Sequence, residues 1–100
     1  MLSKIRKRVK SSVKFTDHAL KEMLKDNLYV DDVIEAVSSG EIIENYCDDK
    51  PFPSCLICGK AKHKNIHAVC AIPEHVEVLI VVTVYLPDPE KWINFKIRKK

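Results

Sequence analysis

The spacing of apolar residues changes period once along this chain. From about residue 15 to residue 38 they recur every three or four positions, the spacing of one helix face. Phe15-Thr16 opens the first predicted helix: Thr16 is a good N-cap, and Phe15 with Leu20 has the spacing of a hydrophobic staple. Ala19, Leu20, Met23 and Leu24 form its apolar face. Asp26-Asn27 ends it, because Asn accepts the left-handed conformation of a helix stop. A second helix is predicted from about Val30 to Ser38, with Val33, Ile34 and Val37 as its stripe. Asp31 and Asp32 lie in its first turn, where the macrodipole favours acids, and Gly40 suits the C′ position. So short a connection between two helices predicts a hairpin.

From Glu41 onward the pattern is that of strands. Ile42, Ile43 and Tyr46 mark a short one, and Asp48 to Pro53 is a loop by its breakers. Cys55–Ala61, Ile66–Ile72 and Val76–Leu86 are three more, and short turns make them antiparallel neighbours. The Val-Ile-Val-Val-Thr-Val-Tyr run of the last reads as a strand buried on both faces, too short to cross a bilayer as a helix. Pro87 and Pro89 lack the N–H that a ladder needs, so pairing ends there. The fold class is α+β: an N-terminal two-helix hairpin packed on a curved, mainly antiparallel sheet of three to five strands. One domain spans residues 1–100, with 1–14 a basic N-terminal arm or edge strand and 93–100 a basic C-terminal tail.

At 46% hydrophobic over 100 residues, the composition is that of a globular domain and excludes a disordered one. No apolar segment follows the basic N-terminus, so no export signal is read there. The four Cys are then expected as reduced thiols in a cytoplasmic protein without a membrane partner.

The net charge of +3 hides a strong polarity. Residues 1–14 and 91–100 carry basic groups and no acid, while the segment between them is acidic overall. Were both ends on one face, that face would attract a polyanion; otherwise they are solvated tails.

The order of short motifs adds a resemblance. His18-Ala19 stands at a helix start, Gly40-Glu41-Ile42-Ile43-Glu44-Asn45-Tyr46 follows, then Asp49-Lys50-Pro51-Phe52-Pro53-Ser54-Cys55-Leu56. Ile66-His67-Ala68-Val69 and the run Thr83 to Trp92 complete the set. Over about residues 15–98 the chain resembles the small proteins grouped as domain of unknown function 4258, themselves similar in fold to RelE/ParE and MqsR-type toxins of toxin–antitoxin pairs. The resemblance implies the helix hairpin on a curved antiparallel sheet. By fold analogy it also implies a toxin-like endoribonuclease acting on RNA or ribosome-bound mRNA, with an antitoxin protein as partner. Lys25 and Asn27 flank a position where the family leads one to expect Arg.

Metal-independent RNA cleavage needs a base for the ribose 2′-OH, cations for the phosphate and an acid for the leaving 5′-oxygen, and no cofactor. The available catalytic set is His67, Tyr85, His18 and Arg98, with Lys96, Lys64, Arg6 and Arg8 as RNA contacts. His18 lies in a first helical turn, where free N–H groups favour anions. The alternative readings for His18, His67 and Tyr85 are structural, and a non-catalytic RNA- or protein-binding module of the same fold is the alternative function. A third possibility is a small zinc protein. Cys55, Cys58, His63 and His67 have the spacing of a zinc knuckle, although residues 55 and 58 of an extended strand point to opposite faces.

Overall fold

The structure, a computed structural model, describes residues 1–100 and contains three helices and a five-stranded sheet. The helices are α1 (Leu2–Ser11), α2 (Asp17–Lys25) and α3 (Val30–Ser39). The strands are β1 (Val13–Phe15), β2 (Glu41–Tyr46), β3 (Ser54–Ala61), β4 (Lys64–Ala71) and β5 (Leu79–Tyr85), in the order β1-β5-β4-β3-β2. β2 to β5 are antiparallel neighbours, and β1 joins β5 in parallel. A separate two-rung hairpin, β6 (Trp92–Ile93) with β7 (Ile97–Arg98), follows. No helix is long and apolar enough to cross a membrane.

All three helices lie on one face of the sheet. Ile5 and Val9 of α1, Ala19 and Met23 of α2, and Val33, Ala36 and Val37 of α3 pack in one core with Cys55, Ile57, Ile66, Ala68, Cys70, Leu79, Val81 and Val84. α3 comes unusually close to β3. A Cβ built on Gly59 would stand 1.9 Å from the Ala36 carbonyl oxygen, so only glycine lets the helix rest on the strand there.

The α2 boundaries follow local chemistry. The Thr16 hydroxyl accepts from the Ala19 N–H, and Asn27 takes a φ of 54° at the other end. There Leu28 N–H donates to Met23 O and Asn27 N–H to Leu24 O, the double closure of a Schellman motif. At the start of α3, the Asp32 carboxylate accepts from the Tyr29 N–H at 2.9 Å.

Several expectations are corrected. Residues 1–14 are not a loose arm: Leu2–Ser11 is a helix, because Ile5 and Val9 give it a buried stripe that its basic neighbours obscure. Phe15 ends β1 instead of stapling α2, whose Leu20 and Leu24 are exposed. Gly40 is extended (φ −80°), not left-handed, and its lack of a side chain serves close packing against Ala36 and Cys58. Residues 93–100 are not a free tail, since most of them build the hairpin. The 62–63 turn holds Lys62 and His63 at φ 51° and 67°, a primed two-residue hairpin loop made without glycine.

Candidate functional site

The helix-free face of the sheet carries the polar chemistry. Strand register places Glu41, Cys58, His67 and Tyr85 in one row across β2, β3, β4 and β5. The neighbouring row is Glu44, Leu56, Val69 and Thr83. Two bulges create this arrangement. An irregularity between Ile42 and Glu44 leaves Ile43 unpaired, which brings Glu44 onto the same face as Glu41. The shift opposite Val69 and Cys70 leaves Val82 unpaired, so Val81 faces the helices while Tyr85 faces away from them. The Thr16 hydroxyl donates to the Val82 carbonyl at 2.8 Å and holds that bulge.

The C-terminal hairpin lies over this face. His67 is completely buried. Its Nε2 is 2.5 Å from the Phe95 carbonyl oxygen and its Nδ1 is 3.1 Å from the Tyr85 hydroxyl. A carbonyl only accepts, so Nε2 carries the proton; in the neutral ring Nδ1 is then the acceptor and Tyr85 donates to it. Burial holds the His67 pKa below its ordinary value of 6.5, which favours that neutral ring. Burial likewise pushes the Tyr85 phenol up. The Trp92 ring stands edge-on to His67 at 4.5 Å between centroids, and the Tyr85 ring lies at 5.2 Å.

Two ion pairs tie the hairpin to β2. Arg98 donates twice to the Glu44 carboxylate, at 2.7 and 3.1 Å, and its guanidinium stacks 4.6 Å from the Trp92 ring centroid. Lys96 Nζ lies 3.0 Å from Glu41 Oε1. The Tyr46 hydroxyl also donates to Glu44. The hydrogen bonds from Arg98 hold the Glu44 carboxyl below its usual range. No buried side-chain nitrogen or oxygen lacks a partner.

Of the residues expected from sequence, His67, Tyr85, Arg98 and Lys96 therefore meet in one place. The others do not join them. His18 is exposed in the first turn of α2. Lys64 is exposed at the start of β4. Arg6 makes one long contact, 3.4 Å, with the Gly40 carbonyl. Arg8 is buried and donates to the carbonyls of Pro73 and Val78 at 2.8 and 3.0 Å, so it pins a loop and is closed to RNA. The two basic ends lie on opposite faces of the sheet, since α1 packs with the helices and the hairpin covers the other side.

The zinc-knuckle set is split. Cys55 sits in the helix-side core opposite Cys70, Cys58 stands beside His67 on the other face, and His63 is in the 62–63 turn. All four Cys are free thiols, and burial raises the Cys55 thiol to about 11. Sequence reasoning missed Glu44, Tyr46, Trp92 and the Phe95 carbonyl. Glu44 and Trp92 stood within the quoted motifs, but nothing local assigned them chemistry.

The largest cavity, ≈ 610 Å³, lies elsewhere, at the opposite end of the strands between residues 47–53 and 73–78. It contains Lys14, Asp49 and His75 but no hydrogen-bonded pair of titratable groups, so the His67 row is the better candidate site.

Residues 15–86 match the model of the family described as Domain of unknown function (DUF4258). The chain belongs to that family. The DUF4258 match takes in Glu44, His67 and Tyr85, whereas the covering hairpin lies beyond it. No curated protein and no solved structure matches the chain.

Proposed function

We propose that this DUF4258 protein is a RelE-like toxin component, a metal-independent endoribonuclease directed at RNA or ribosome-bound mRNA and neutralised by an antitoxin protein. The observation that supports this reading most is the Tyr85–His67 pair, the Tyr85 hydroxyl 3.1 Å from His67 Nδ1, with the cations Arg98 and Lys96 on the adjoining hairpin.

Such a pair suits proton transfer. The 2′-OH gives its proton to the Tyr85 oxygen as the Tyr85 proton passes to His67 Nδ1. The 2′-oxygen attacks phosphorus, the P–O5′ bond breaks, and the 5′-oxygen takes up a proton from solvent water as a 2′,3′-cyclic phosphate forms, while His67 gives the proton it received back to solvent. Tyr85 is the catalytic residue in this scheme, and His67 acts through it. General acid–base groups of this kind contribute roughly 100- to 10,000-fold.

The test is incubation of the pure protein with total RNA and with translating ribosomes, with and without EDTA. Expected is EDTA-insensitive cleavage that falls at least about 100-fold in Tyr85→Phe. Intact RNA in every arm, with unaffected growth on expression, overturns the nuclease.

A second reading, a non-catalytic binding module for RNA, has its own support: both ring nitrogens of His67 are occupied, and Arg98 and Lys96 are neutralised by Glu44 and Glu41. It predicts salt-dependent retention of RNA with no cleavage.

A further inference from the structure

We propose that the hairpin over residues 92–98 is a displaceable cover on the Tyr85–His67 pair, and that single-stranded RNA opens it by drawing Arg98 and Lys96 away from Glu44 and Glu41. The identity of the polyanion rests on the proposed function; the cover itself does not.

His67 has no exposed surface, and one of its ring nitrogens is blocked by the hairpin's own Phe95 carbonyl. Tyr85 is only partly buried, so what the hairpin closes off is His67: a reacting group touches that ring only when the hairpin leaves. The hairpin is poorly secured on its own. It has two rungs, Trp92 with Arg98 and Ile93 with Ile97, extended by one backbone bond from the Lys99 N–H to the Lys91 carbonyl at 2.9 Å, and so short a two-stranded ribbon is marginal in water. Its tip holds Asn94 and Phe95 at φ 51° and 63°, a left-handed conformation that a bulky Phe adopts at a cost.

What fastens it is Trp92, 5% exposed against His67, the hydrogen bond from His67 Nε2 to the Phe95 carbonyl, and the two ion pairs. Both cations are open to solvent: the Arg98 and Lys96 side chains are 62% and 52% exposed. Exposed ion pairs are weak and are screened by salt. The Arg98 fork that grips Glu44 twice is equally suited to a phosphate. Lys91, Lys99 and Lys100 flank the hairpin and residues 91–100 contain no acid, so a polyanion gains attraction along the whole segment.

Trp92 is the single tryptophan of the chain, which makes the cover directly readable. The probes are a single-stranded oligoribonucleotide and heparin, a polyanion that cannot be cleaved this way. Trp92 emission and its quenching by acrylamide are followed during titration at low salt, in the wild type and in Glu44→Gln. As an independent measurement, hydrogen exchange of the amides of residues 92–98 is compared with that of β3 and β4.

Expected are a red shift and a several-fold rise in quenching on adding either polyanion. Glu44→Gln shows part of that rise without ligand, with exchange accelerated in the hairpin and unchanged in the central strands. Should Glu44→Gln fail to fold, Arg98→Gln breaks the same pair from the hairpin side, and the wild-type titration stands regardless. A Trp92 that stays blue and unquenched at saturating RNA, with hairpin exchange as slow as in β4, overturns the cover. Opening without RNA cleavage keeps the cover and removes the nuclease; cleavage without opening does the reverse.

Discussion

The two faces of the sheet are built on opposite plans. The helix face has an apolar core, from Ile57 and Val33 at its centre to Leu79 and Val81, closed by backbone-close packing at Gly59, although Arg8 and Asp32 of the helices are also buried. The other face buries a histidine, a tryptophan and a leucine among hydroxyls, carboxylates and a thiol, and every buried polar side-chain atom there has a partner. Packing of the first kind loses stability wherever volume changes. A polar network is sensitive to the loss of one partner and to pH, because each group relies on the protonation state of its neighbour. The contrast indicates which face holds the fold together and which is free to carry chemistry.

The strongest way to break this contrast is Gly59→Ala, which drives a methyl into the Ala36 carbonyl. It is expected to lower unfolding free energy by about 3 kcal/mol, read by urea denaturation. A loss below about 1 kcal/mol would mean that α3 shifts freely and that the helix face is not rigidly packed.

Next comes His67→Phe, which fills similar space but leaves the Phe95 carbonyl and Tyr85 hydroxyl without their partner. A loss of about 1–3 kcal/mol is expected at neutral pH. Its pH dependence sharpens the point. The folded-state pKa of His67 lies below 6.5, so the unfolded chain binds the proton first and stability falls as pH drops below that value. Above it the contribution is complete. His67→Phe is expected to flatten this window; an unchanged slope there would remove His67 as its source.

The smallest effect is expected for Glu44→Gln. Its partner Arg98 is mostly exposed, and such pairs contribute under about 1 kcal/mol. Glu44 has a depressed pKa, so its contribution is present above its ordinary 4.5 and is lost as pH falls through the folded value. Unfolding curves of Glu44→Gln and the wild type should converge in acid. A double-mutant cycle with Arg98→Gln then isolates the pair.

Much of the helix layer was legible because its signals are local. Thr16 as cap and Asn27 as stop are one-residue decisions, and both appear where the spacing put them. α1 was not, because Ile5 and Val9 are a thin stripe among six basic residues within the first 14, and only its core partners reveal it. Leu20 and Leu24 misled for the converse reason: apolar spacing shows which residues share a helix face, not how wide a face the sheet covers.

For the site, His67 and Tyr85 were legible as reactive types on neighbouring strands, and their meeting follows from antiparallel register. The role of Arg8 was not legible, because a guanidinium bound to two carbonyls and one free for RNA look alike in sequence.

By itself the sequence determined the α+β class, the caps and breaks of α2, the three long antiparallel strands and the stop after Tyr85. These rest on interactions among residues close in the chain. Only the tertiary structure decided which way Glu44 and Tyr85 point. In an all-apolar run such as Leu-Ile-Val-Val-Thr-Val-Tyr the alternation carries no marker of face, and a single bulged residue, Ile43 or Val82, reverses every side chain beyond it. The hairpin's place over His67 was decided the same way, by Trp92, Arg98 and Lys96 finding partners tens of residues distant.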